Sequence, residues 1–133
     1  MSFTPECQAY IDTHLYENQD ELLKKIGSLL PTGASNIHWD KIPDKYEAHS
    51  IQRDKLIMEI LAAASLIDLK ESETIMIINI DDAFPAIITT LKEWQPYAQE
   101  LDCVNTLYVN ENNSKIIHWD FYKNLYALKP PSQ

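Results

Sequence analysis

Glycine and arginine are almost missing from this 133-residue sequence, which has two glycines and a single arginine, Arg53. With only Gly27 and Gly33, the chain has neither the glycine-rich loops that bind nucleotide phosphates nor the Gly-x-Ser-x-Gly turn of many hydrolases. The shortage of basic residues argues against nucleic-acid binding, because contacts with the phosphate backbone need clustered lysine and arginine. Anionic membrane surfaces are disfavoured for the same reason.

Cysteine and long apolar runs are also scarce. Cys7 and Cys103 are far apart, have no metal-ligand spacing, and lie in apolar patterns typical of small, reduced core residues. Residues 1–6 lack the basic and apolar regions of a secretory signal, and no apolar run reaches the length of a membrane span. We therefore expect a cytoplasmic protein, folded as a single domain over residues 1–133 with a frayed tail from about 129.

Acidic residues, by contrast, are abundant, and the formal net charge is -9. Residues 1–50 carry eight acids and four bases, residues 51–100 carry nine and four, and residues 101–133 carry three of each. The first hundred residues therefore hold the whole excess of negative charge. Such a field would attract a basic partner protein and speed their encounter, although a contribution to solubility alone is the alternative.

The stretch around which the chain is organised is an apolar, β-branched run that begins at Thr74 and stops at Asp81 and Asp82. A short apolar run of this kind predicts a strand over residues 74–80 that is buried on both faces. The segment that follows places Phe84, Ile87, Ile88, Leu91 and Trp94 at helical spacing. We therefore expect a helix after Asp82, capped by that residue and kinked or ended by Pro96.

The remaining patterns complete an α+β fold in the order α-α-β-α-β-β. Thr4 and Pro5 favour a helix start, so residues 5–30 form one helix or two helices broken near Asn18. A second helix is expected from Pro43 and Asp44 to about Leu69. Further elements are a possible edge strand at 37–39, a hairpin of 103–109 and 115–119, and a short helix or strand within 121–128. We expect a small mixed sheet of three or four strands packed by about three helices, with a parallel right-handed crossover over 74–109.

A His-Trp-Asp triplet occurs twice, at residues 38–40 and 118–120. Residues i and i+2 of a strand share a face, so His38 with Asp40, or His118 with Asp120, could reach one metal ion. In the alternative interpretation, which we favour, the two tryptophans pack in the core while the histidines and aspartates cap the chain or face solvent.

Asp81 and Asp82 resemble the carboxylate pairs that hold magnesium at strand ends. Phosphate chemistry would need basic groups beside them, and the sequence places none there. We therefore expect Asp82 to act as a helix cap and both acids to belong to a partner-binding patch. A Cys–His nucleophile is disfavoured, and we expect no enzymatic activity, no cofactor and no metal. The candidate partner-binding residues are Asp40, Asp44, Glu47, Asp81, Asp82, Trp119 and Asp120.

This small, acidic, nearly arginine-free α/β chain resembles the immunity proteins of bacterial toxin systems, the contact-dependent growth inhibition type above all. The stretches Ile75–Asp82 and Lys115–Tyr122 carry the resemblance. It implies a cytoplasmic inhibitor that binds a cognate, often basic, nuclease toxin domain and blocks its active site. The alternatives are a small metal-dependent hydrolase that uses Asp81, Asp82 and the His-Trp-Asp pairs, and a non-inhibitory adaptor module.

Overall fold

A computed structural model describes residues 3–31, 37–80, 84–101, 104–120 and 122–128 of the protein. The helices are α1 (Pro5–Asp12), α2 (Gln19–Leu29), α3 (Leu56–Leu66) and α4 (Leu91–Trp94). The strands are β1 (Tyr46–Ala48), β2 (Thr74–Asn79), β3 (Ile87–Thr90), β4 (Thr106–Asn110), β5 (Ile116–Trp119) and β6 (Leu125–Leu128). Three short 3₁₀ turns cover Trp39–Lys41, Arg53–Lys55 and Ala98–Leu101. No helix in these ranges is long and apolar enough to cross a membrane.

The strands form one six-stranded sheet in the order β1-β6-β5-β4-β2-β3. Each neighbouring pair is antiparallel. The predicted α+β class is therefore confirmed, whereas three or four strands was too low a number. The predicted parallel crossover over 74–109 is wrong, because β2 and β4 are neighbours that pair antiparallel.

Strand β2 confirms the prediction of a doubly buried strand at residues 74–80. It lies between β3 and β4, and its residues from Ile75 to Asn79 are buried. Alternate side chains point to opposite faces of a strand. Accordingly, Ile75 and Ile77 belong to one apolar cluster, while Met76 and Ile78 belong to another.

Helices cover the sheet on both faces and make a three-layer structure. The first face packs against Cys7 and Ile11 of α1, Leu56, Ile60 and Ala63 of α3, and Leu91 and Trp94 of α4. The second face packs against Leu22 and Ile26 of α2, together with Ile37, Trp39 and Ile42. Burial of apolar surface on both faces is the main stabilising contribution to such a fold.

The helix predicted after Asp82 is wrong over most of its length. Residues 87–90 form strand β3, and the only helix in this stretch of the described chain is the single turn α4, which Thr90 caps through its hydroxyl. The sequence Ile87-Ile88-Thr89-Thr90 is entirely β-branched, which favours a strand, and it pairs with β2 residue by residue. The expected cap, Asp82, lies outside the described residues.

The helix predicted from Pro43 to about Leu69 is shorter than expected. Tyr46–Ala48 form β1 and pair with β6, and α3 begins only at Leu56, after the 3₁₀ turn Arg53–Lys55. The edge strand expected at 37–39 is reduced to a single β-bridge at Ile37, because Trp39 starts a 3₁₀ turn. Both errors come from pairings and packing with distant residues, which override local preference.

The N-terminal segment forms two helices, which settles the alternatives left open for residues 5–30. Thr4 caps α1, because its hydroxyl accepts a hydrogen bond from the backbone N–H of Cys7 at 3.4 Å. Asn18 occupies the N-cap position of α2. Cys7 is a buried free thiol, as expected, while Cys103 and the tail from 129 lie outside the described residues.

The C-terminal hairpin was predicted correctly. Strands β4 and β5 pair on either side of the polar link from Glu111 to Lys115. Of the two possibilities for residues 121–128, the structure has a strand, β6, paired with β5.

Candidate functional site

The two His-Trp-Asp segments meet in the structure, through the tryptophan of the first and the histidine of the second. The indole Nε1–H of Trp39 donates to Nδ1 of His118 at 2.7 Å. The other ring nitrogen of His118 is hydrogen-bonded to Oδ1 of Asn105. Trp39 also stacks on Tyr126, with ring centroids 5.1 Å apart and planes 9° apart. His118 is fully buried, so this network ties the Trp39–Lys41 turn to the sheet.

This geometry requires a neutral imidazole at His118. Nδ1 accepts from Trp39 and therefore carries no proton, so Nε2 carries it and donates to Asn105. Burial lowers the pKa of His118 to about 4. Protonation of Nδ1 would place its N–H opposite the indole N–H of Trp39 in the buried interior. His118 therefore acts as a fixed structural hydrogen-bonding group at neutral pH.

The remaining members of the two triplets point elsewhere. Asp120 accepts hydrogen bonds from the backbone N–H groups of Tyr122 at 2.8 Å and Asn124 at 2.9 Å, and so it shapes the β5–β6 turn. Trp119 faces the helix layer of α1 and α3 and is 1% exposed. His38 is half-buried and Asp40 is exposed. Among the described residues, no group of three or more His, Cys, Asp or Glu is placed to hold a metal ion.

Asp81 and Asp82 lie outside the described residues, but the residues on either side of them are anchored. Ile80 donates its backbone N–H to the carbonyl oxygen of Asn105 at 3.2 Å. The side-chain amide of Asn79 donates to the carbonyl oxygen of Phe84 at 2.6 Å. These bonds lie at the end of the sheet where β2 and β5 finish and β4 and β6 begin, which we call the loop end.

Three of the predicted partner-binding residues, Asp40, Asp44 and Glu47, are exposed in the structure. Glu47 lies 3.7 Å from the ammonium of Lys45 and 3.6 Å from the imidazole of His49. Trp119 and Asp120 require a correction. Both are buried, and Asp120 uses its carboxylate within its own turn, so neither offers a surface to a partner.

A groove that the sequence patterns did not reveal lies beside β3. Leu15, Tyr16, Pro85 and Ala86 line it together with the acids Glu17 and Asp20, and its volume is about 370 Å³. The chain is held there by backbone hydrogen bonds of 2.8 Å from Tyr16 to Ala86 and from Ile88 to His14. We call this the Leu15 groove. Leu15 and Pro85 are far apart in the sequence, so no local pattern indicates this groove.

Another groove in the described part of the chain has a different character, because basic side chains line it although the protein is acidic. Its volume is about 540 Å³, and it is lined by Arg53, Lys123, Gln99 and the exposed ring of Tyr122 among others. Arg53 and Lys123 therefore share this groove with one acid, Asp54.

The buried thiol of Cys7 does not provide a nucleophile. Burial, together with the nearby Glu100 carboxylate, raises its pKa to about 12. A protonated and fully buried thiol reacts slowly, since the thiolate is the reactive form.

The sequence matches no protein-family model, and no curated protein is significantly similar to it.

Proposed function

We propose that this protein is an acidic protein-binding inhibitor that neutralises a cognate basic toxin domain in the cytoplasm, as an immunity protein does. The observation that carries the proposal is the excess of exposed carboxylates without a nearby cation. Between described residues, only Glu47 and Glu73 lie within 4.0 Å of a basic side chain. The exposed acids of the first hundred residues without such a partner are Glu6, Asp12, Glu17, Asp20, Glu21, Asp40, Asp44, Asp54, Asp68, Glu71 and Glu93.

Unneutralised carboxylates of this kind support fast binding of a basic protein. A nuclease holds nucleic-acid phosphates in a cleft lined by lysine and arginine, and a carboxylate-rich surface competes for that cleft. The negative field also steers the encounter and raises the association rate. The partner in this proposal is a nuclease toxin domain.

The proposed contact surface lies at the loop end and around the Leu15 groove. The groove supplies apolar area from Leu15 and Tyr16 with Glu17 and Asp20 at its edge, and interfaces commonly combine an apolar centre with a polar rim. Asp81 and Asp82 follow Ile80, which lies at the loop end, and we propose them as the centre of the surface. Glu47 on β1 and Asp44 just before it lie at the opposite edge of the sheet from β3, so together with Asp40 they contribute to the negative field that steers the encounter.

Charge reversal on this surface should slow partner binding more than charge reversal elsewhere on the protein. In Asp81→Lys/Asp82→Lys, we expect the association rate with a partner captured from native lysate to fall about tenfold or more, because steering is lost. Glu111→Lys is the matched control, since Glu111 is an exposed acid in the neutral C-terminal third and should matter less. For the unmodified protein, the association rate should also fall steeply as salt rises. Both quantities are measured by surface-based or stopped-flow kinetics.

An association rate indifferent to salt, or equal losses in the double variant and in Glu111→Lys, would contradict the proposal. Inhibition of the captured partner's activity separates an inhibitor from a non-inhibitory adaptor. The hydrolase alternative is tested by metal analysis after dialysis, comparing the protein with His118→Ala and Asp120→Ala. No contact in the described chain favours that alternative, because both ring nitrogens of His118 are already hydrogen-bonded.

A further inference from the structure

Helix α3 is apolar on all sides, which is unusual for a helix at the surface of a protein. Its sequence Leu-Ile-Met-Glu-Ile-Leu-Ala-Ala-Ala-Ser-Leu contains one charged residue, Glu59. That carboxylate is half-buried and accepts a hydrogen bond from the hydroxyl of Tyr46 at 3.1 Å. A helix that is hydrophobic all round is normally covered on all sides. The sheet covers only one side of α3.

The uncovered side carries a regular row of apolar residues. Met58 is 63% exposed and Leu66 is 67% exposed, and the exposed Ala62 lies between them. Positions i, i+4 and i+8 fall along one face of a helix. We call Met58, Ala62 and Leu66 the α3 ridge. Its side chains are large, small and large in turn, and none of them is charged.

We propose that the α3 ridge is the interface of a homodimer, in which two copies of α3 pack antiparallel about a two-fold axis near Ala62. A two-fold interface uses the same patch on both subunits, so the patch must complement itself. The small Ala62 lets the two helices approach at the axis. An antiparallel arrangement then places Met58 of each copy beside Leu66 of the other.

The charges at the two ends of α3 favour a second copy as the occupant of this face. Arg53, Asp54 and Lys55 precede the helix and carry a net charge of +1, while Asp68, Lys70 and Glu71 follow it and carry -1. All six are exposed. Antiparallel packing places each positive end beside a negative end of the other copy. It also places the two helix macrodipoles antiparallel, which is the favourable arrangement. A parallel arrangement would bring like ends together.

A groove beside the C-terminal end of α3 offers room for a side chain of the second copy. Leu61, Ser65 and Leu69 line it, with Asp68, Lys70 and Glu71 around it, and its volume is about 310 Å³. Met58 of the second copy reaches this end of the helix in the antiparallel arrangement. Methionine is unbranched and flexible, so it fills irregular gaps of this kind well.

The mass of the protein in solution tests the dimer. Sedimentation velocity over a concentration series should show conversion from the 15.4 kDa monomer to a species of twice that mass. Met58→Glu and Leu66→Glu should each raise the dimer dissociation constant about tenfold or more, because each buries a charge in an apolar contact. Leu29→Glu is the matched control: Leu29 is 51% exposed on α2, outside the ridge, and its variant should dimerise like the unmodified protein.

The end charges test the antiparallel arrangement separately. Lys55→Glu should weaken the dimer, and adding Glu71→Lys in the same chain should restore it, because each changed end meets the other across the two-fold axis. Circular dichroism establishes that every variant is folded. A protein that stays monomeric at all concentrations overturns the proposal. A dimer that survives Leu66→Glu also overturns it, as does a dimer that Leu29→Glu weakens as much as Leu66→Glu does. A Lys55→Glu/Glu71→Lys variant that dimerises no better than Lys55→Glu overturns the antiparallel arrangement.

Discussion

Replacing Ile77 or Ile78 with alanine is expected to lower the free energy of unfolding by about 2–5 kcal/mol. Both side chains are fully buried in β2, but they face opposite layers: Ile77 packs in the cluster with α1 and α3, and Ile78 packs in the cluster with α2. Each substitution leaves a cavity that the neighbouring helices and strands can close only in part. Comparable losses from the two variants would show that both layers contribute to stability.

Ile88→Ala is the matched control, because Ile88 is half-buried on the edge strand β3 and should lose less stability. Urea denaturation followed by circular dichroism gives the three free energies. If Ile77→Ala and Ile78→Ala were near neutral, β2 would not be a doubly buried strand and the three-layer arrangement would be wrong.

Acidification should remove about 3 kcal/mol of stability through His118 alone. Its pKa is about 4 in the folded protein and 6.5 for an ordinary imidazole, and each unit between them corresponds to about 1.4 kcal/mol. The folded state holds the imidazole neutral, so the unfolded state binds the proton first. The contribution is therefore fully present above pH 6.5, is lost as the pH falls towards 4, and changes no further below that.

The measurement is the free energy of unfolding between pH 7 and pH 4 for the unmodified protein and for His118→Gln. The variant should be less stable at pH 7, because Trp39 and Asn105 lose their partner, but its stability should fall less on acidification. His49→Gln is the control, since His49 is exposed and its replacement should leave the acid-induced loss intact. Equal acid-induced losses in the unmodified protein and in His118→Gln would show that the imidazole is not held neutral by the fold.

The parts of the fold that the sequence predicts correctly are those decided by neighbours along the chain. Strand β2 is a continuous apolar run with polar ends, and the β4–β5 hairpin is two apolar runs joined by a short polar link. The start of α1 is indicated by Thr4, whose hydroxyl caps the helix, and by Pro5 in its first turn. In each case the deciding contacts lie within a few residues, where periodicity and capping preferences apply.

The stretch from Phe84 to Trp94 shows where that approach fails. Its apolar residues fit a helical stripe, and the same residues fit a β-branched strand followed by one helical turn. The decision comes from β2, which offers Ile87 and Ile88 partners for a strand and none for a helix. A short apolar segment does not contain that information, because its partner is elsewhere in the sequence.

The candidate sites are less predictable still, because each joins segments that are distant in sequence. The repeated triplet is visible in the sequence, but the bond between Trp39 and His118 spans 79 positions and depends on the order of strands in the sheet. The Leu15 groove likewise forms only where residues 15–20 meet Pro85 and Ala86. Spacing within one segment cannot indicate such meetings.

The pairing of β1 with β6 also determines when this chain can complete its fold. Tyr46 finds its strand partner at Ala127, so the sheet has a high contact order and should fold slowly, as proteins dominated by non-local pairing do. During synthesis, β1 emerges from the ribosome long before its partner, while the hairpin of β4 and β5 emerges shortly before β6. Strand β1 therefore stays unpaired in the nascent chain. Strand β6, which lies between β1 and β5, can complete the sheet only after residue 128 has left the ribosome.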